Sequence, residues 1–68
     1  MITEIGIAAG DIWHYLDEHG MANLDQLVKG TKNPRELLLM SLGWLAREGH
    51  VVLAGPETGY QASLKSPR

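Results

Sequence analysis

Apolar residues recur near the start of the chain at spacings of four, three and four: Ile5, Ala9, Ile12 and Leu16. This is one stripe of an amphipathic helix, with Trp13 and Tyr15 on its shoulders. Thr3 is placed to cap its start and Gly20 to end it. Met21 and Ala22 follow as a candidate short strand. In MANLDQLVKG, Asn23 precedes Gln26 by three residues. That pairing predicts a capping box, in which each side chain satisfies a backbone amide at the helix start. The helix it opens is about two turns long, buries Leu24, Leu27 and Val28, and should stop at Gly30.

NPRE repeats the device. Asn33 stands as N-cap, Pro34 at the first helical position where no amide hydrogen is needed, and Glu36 at the reciprocal position. The third helix then runs through LLLMSLGWLARE to Gly49, with Leu38, Ser41, Leu42 and Leu45 as its core stripe. Beyond Gly49 the period changes to two. Val51 and Leu53 point one way, and Tyr60, Ala62 and Leu64 alternate with Gln61 and Ser63. GPETG between them reads as a hairpin loop of more than two residues. The chain is therefore predicted to be α+β: three helices followed by a β-hairpin, with a short strand between the first two helices. Residues 1–65 form one domain, and 66–68 read as a frayed tail.

Composition adds bounds. A chain of 68 residues buries only about 60% of the surface its unfolded form exposes, so each large apolar side chain matters. The sequence has no cysteine, hence no disulfide framework or thiolate metal site, which fits a cytoplasmic location. Neither a basic leader nor an apolar run of about 20 residues is visible, so secretion and membrane insertion are not expected. The formal net charge is −2, but its distribution is polarised. Residues 1–28 contain five acids and no Lys or Arg, whereas residues 29–68 contain six Lys or Arg against three acids. A basic face is compatible with the acidic total.

The element order, with a short second helix turning into a longer third and then a hairpin, resembles a winged helix-turn-helix domain. More narrowly, AGDIWHYL and SLGWLAREGHV resemble a small prokaryotic winged helix-turn-helix family of uncharacterised function, with an AG..W..L first helix and an LGWLARE end to the third. The resemblance implies a fold but no substrate. By analogy with winged-helix DNA binders, the third helix would be the recognition helix of a transcription regulator and the hairpin would be a wing on the neighbouring backbone. Double-stranded DNA would then lie nearest Thr31, Lys32, Asn33, Arg35, Glu36 and Leu39. Lys32 and Arg35 would neutralise phosphates, with Lys29, Arg47 and Lys65 as flanking contacts. Taken singly, each of these charges reads first as a solvated surface group and only second as a contact.

Two features weaken that reading. The wing loop GPETG holds an acid and no base, and the outward positions of the third helix are Glu36, Leu39, Met40 and Gly43. An apolar outer face suggests cover by another chain, in a homodimer or against a protein partner. The interface candidates are Trp13, Leu39, Met40, Gly43 and Trp44. Trp44 could also close the edge of the core, and Gly43 could admit the domain's own first helix. Two functions stay open: a nucleic-acid-binding domain, and a protein-interaction or homodimerisation module. An enzyme is not expected. His14 and Glu18 have the spacing of a helical ligand pair, but His19 and His50 do not complete it, so no metal is expected. Ser41, Ser63 and Ser66 lack a base, and Gly49, Gly55 and Gly59 punctuate turns instead of forming a phosphate loop. No cofactor or small-molecule ligand is inferred.

Overall fold

The computed structural model describes residues 1–65; the predicted tail at 66–68 lies outside them. The order is α1 (Ile2–His19), β1 (Met21–Ala22), α2 (Leu24–Thr31), α3 (Arg35–Arg47), β2 (Val51–Ala54) and β3 (Gln61–Leu64). This is the predicted α+β arrangement, including the short strand. The core lies between the helices and one face of the sheet, and is built from Ile12, Leu16, Leu27, Leu38, Leu42 and Leu45 with Ala22, Val51, Ala62 and Leu64.

α1 buries Ala8, Ala9, Ile12 and Leu16, while Ile5 is half-buried. Thr3 does not cap it. The helix begins earlier, with Met1 at the N-cap position and no side-chain cap. There the Met1 ammonium lies 2.7 Å from Glu4, and this contact holds the Glu4 carboxyl below its ordinary range. A negative charge in the first turn is also favourable toward the helix dipole. Gly20 ends α1 with φ 90°.

α2 opens on the predicted capping box. Asn23 Oδ1 accepts from the Gln26 amide at 2.8 Å, and Gln26 Oε1 accepts from the Asn23 amide at 2.8 Å. The predicted stop at Gly30 is not observed. α2 continues to Thr31 and is ended by Lys32, whose φ of 60° and ψ of 30° are left-handed. Gly30 is required for a different reason. A Cβ there would lie 2.1 Å from Cε2 of Tyr15, so the glycine lets α2 approach the ring of α1.

The cap of α3 also differs from expectation. Pro34, at φ −61° and ψ 144°, is the N-cap, and Arg35 is the first helical residue. Asn33 instead donates from Nδ2 to Asp11 Oδ2 at 3.1 Å, a tertiary bond to α1 that takes its amide away from the helix start. Glu36 consequently has no reciprocal partner. The core stripe is as predicted: Leu38, Ser41, Leu42 and Leu45 are buried. The Ser41 hydroxyl shares its proton between Leu37 O at 2.8 Å and Ile5 O at 3.2 Å. α3 ends in a Schellman motif, with Gly49 N–H donating to Ala46 O, His50 N–H to Leu45 O, and Gly49 at φ 81°.

The sheet order is β1-β3-β2, antiparallel throughout. Met21 pairs with Ser63 and Ala22 with Ala62, while Val51 pairs with Leu64 and Leu53 with Ala62. Val51 is buried, but Leu53 on the same face remains 41% exposed. β2 is an edge strand, and its outer half runs into the wing loop instead of over the core. Among the described residues, no helix is long and apolar enough to cross a membrane.

Candidate nucleic-acid and protein interface

The nucleic-acid candidates fall into two groups. Lys29, Lys32, Asn33 and Arg35 surround the turn between α2 and α3. Arg47 is twelve residues beyond Arg35 on α3, about 18 Å along the axis. Lys65 lies beside the residues that follow α3, its amide donating to His50 O at 3.0 Å. Lys29 and Lys32 are exposed, and no acidic partner is recorded for either among the described residues. Arg35 is engaged: Nη1 lies 2.7 Å from Asp25 Oδ1, with the two side chains 60% and 73% exposed. A pair this open contributes at most about 1 kcal/mol and can exchange for another anion. Its surroundings are nevertheless acidic. The wing tip folds toward the starts of α2 and α3, leaving a cleft of about 340 Å³ in which Arg35 and Leu39 share the walls with Asp25, Glu57 and Tyr60. Asn33, bonded to Asp11, is half-buried.

The outer face of α3 has another character. Opposite the buried stripe run Glu36, Met40, Gly43 and Arg47, at spacings of four, three and four, all exposed. Trp44 flanks this line and is 49% exposed; Met40 is 38% and Leu39 46% exposed. A Cβ built on Gly43 would meet nothing within 4 Å. The domain's own packing therefore does not account for a mid-helix glycine, which costs about 1 kcal/mol relative to alanine. Trp44 leans over the start of α1, where a cleft of about 390 Å³ is lined by Ile2, Ile5, Gly6 and Trp44. Ile2 is 86% exposed.

Of the predicted interface residues, Met40, Gly43 and Trp44 thus lie together. Leu39 falls on the opposite flank, toward the wing. Trp13 is separate from the Trp44 cleft and stands edge-on to His14, with ring centroids 5.6 Å apart. Sequence reasoning missed Ile2 and Gly6. Their signal was present, since both lie beside Ile5 on the flank of the α1 stripe at i, i+4 spacing.

A shallower cleft of about 260 Å³ adjoins Asp11, His14, Tyr15 and Glu18. Tyr15 stacks on His19 with centroids 4.1 Å apart. Among the described residues no three His, Cys, Asp or Glu side chains are grouped so as to hold a metal ion, and no buried side-chain nitrogen or oxygen lacks a hydrogen-bond partner.

Comparison with known proteins agrees with the fold. A family model described as a winged helix-turn-helix domain (DUF2582) matches residues 1–63. Among solved structures, the solution NMR structure of protein BT2368 from Bacteroides thetaiotaomicron superposes with a TM-score of 0.80 at 27% identity, over 93% of this chain and 77% of that one. No curated protein matches the chain.

Proposed function

The chain belongs to the winged helix-turn-helix family DUF2582, and from that premise we propose that it is a non-enzymatic association domain whose third helix docks on protein. The fold is commonly used to bind nucleic acid, and in that use the outer face of α3 enters a groove. One observation carries the other reading. The outward line of α3 presents Met40 and a glycine with open space above it, beside a half-exposed Trp44 that continues onto Ile2 and Gly6 of α1. Groove readers need polar side chains that reach base edges. Here Glu36 opposes phosphate, and Arg35 already faces Asp25. An exposed apolar cluster rimmed by charge is the character of a protein-contact surface.

Nucleic-acid binding is the second reading, favoured by the exposed cations Lys29 and Lys32 at the helix-turn-helix. A titration separates the two. Isotope-labelled chain is followed by NMR over a dilution series, and then with duplex DNA at low and moderate salt. Concentration-dependent shifts confined to residues 2–6 and 36–47 support the association domain. Salt-sensitive shifts on DNA addition at residues 29–36, with an α3 face indifferent to concentration, replace it with the DNA reading.

A further inference from the structure

We infer that the partner of this face is a second copy of the chain, its α3 lying antiparallel to the first about a two-fold axis between Met40 and Gly43. The inference rests on the association reading and adds an occupant, a register and a rule of selectivity to it.

The outward line of α3 reads acid, large, vacant, base: Glu36, Met40, Gly43, Arg47. Its spacing of four, three and four is the same from either end. A two-fold contact requires that when residue i touches j, j touches i. Antiparallel pairing satisfies this at every position of the line. Glu36 of each copy stands opposite Arg47 of the other, and Met40 of each opposite Gly43 of the other. The methionine then fills the space left open above the glycine, where, its chain neighbours and the helix's own backbone aside, none of the described residues lies within 4 Å.

The charges are available for such a match. Glu36 and Arg47 are exposed, and no ion-pair partner is recorded for either within the described residues. A parallel pairing would instead set Glu36 against Glu36 and Arg47 against Arg47. The four-three spacing is also the seam of two helices that pack as a coil. On one flank Trp44 falls beside Leu37 and Met40 of the second copy, and on the other Leu39 falls beside Ala46. α3 is only about 20 Å long, so the contact is smaller than the roughly 800 Å² per partner of a standard stable interface. The dimer accordingly exchanges with monomer.

Sedimentation of the full chain over a concentration series tests this, using Glu36→Arg, Arg47→Glu and Met40→Glu variants whose fold is checked by circular dichroism. Each charge reversal alone should weaken self-association about tenfold, because like charges then meet twice. An equimolar mixture of the two should associate again as a heterodimer, and E36R/R47E should recover dimerisation. If both single reversals associate like the original chain, or their mixture stays monomeric, while Met40→Glu still dissociates the protein, the antiparallel register is wrong and the association reading stands. A chain that is monomeric at every concentration overturns the homodimer and leaves the association reading only to a different protein as partner.

Discussion

Gly30 of α2 faces the ring of Tyr15 so closely that a methyl group on it would lie 2.1 Å from Cε2, whereas Gly43 of α3 faces open space. A glycine in the last turn of α2 and a glycine in the middle of α3 thus have opposite grounds. Gly30→Ala should lower stability by about 1 kcal/mol net, because displacing the ring outweighs the gain in helix propensity. Thermal unfolding should show a loss of about 4–8 °C.

Gly43→Ala should do the reverse in dilute solution. With no steric neighbour, the substitution keeps only its propensity gain, about 0.5–1 kcal/mol. Denaturant titration at micromolar concentration measures this. In concentrated solution the same methyl group occupies the hollow proposed for Met40, so self-association should weaken as the monomer becomes more stable.

Lys32 holds a left-handed conformation with a side chain that gains nothing from it. Lys32→Gly should raise stability by about 0.5–1 kcal/mol, the relieved strain being partly offset by the freer unfolded chain. The same substitution removes an exposed cation. If duplex DNA is a ligand, affinity should fall as stability rises, and a titration on the stabilised variant reads that out directly.

The reciprocal bonds of Asn23 and Gln26 make the start of α2 sensitive. Asn23→Ala should cost about 1 kcal/mol or somewhat more, since it removes the acceptor for the Gln26 amide. Gln26→Ala should cost less, because alanine is the better helix former at a position inside α2 and offsets part of the lost bond. Equilibrium unfolding of the two single variants and the double should show coupling between the sites.

Asn33→Ala should also destabilise, by about 1–2 kcal/mol, although Asn33 caps no helix. Its amide serves the half-buried carboxylate of Asp11, and a hydrogen bond to a charged group exceeds an ordinary one in strength. A double-mutant cycle with Asp11→Ala should recover most of this as interaction energy. Additive losses would place the effect of Asn33 in the turn itself.

These residues also mark where the sequence was readable. The stripes of α1 and α3, the capping box of α2, Gly49 and the hairpin were legible because each depends on neighbours within one turn or one strand. Asn33 and Gly30 were not. Their partners, Asp11 and Tyr15, lie 22 and 15 residues away, so local rules assigned them a cap and a stop that tertiary packing had displaced. The interface candidates divided in the same way. Met40, Gly43 and Trp44 could be grouped from one helical wheel, but joining them to Ile2 and Gly6 required knowing how α1 crosses α3. Trp13, grouped with them by residue type, stands apart.

β1 is only two residues long, yet it joins the wing to the joint between α1 and α2 through its pairing with β3. Ala22 and Ala62 are both fully enclosed at that seam. The hairpin is therefore not an appendage that can swing independently of the helices. Opening it requires releasing the α1–α2 joint, so the amide protons of Ala22, Ala62 and Ser63 should exchange with solvent in a single cooperative event. A force or ligand acting on the wing would be felt at Gly20 as well as at Gly49, where the chain passes from α3 into β2.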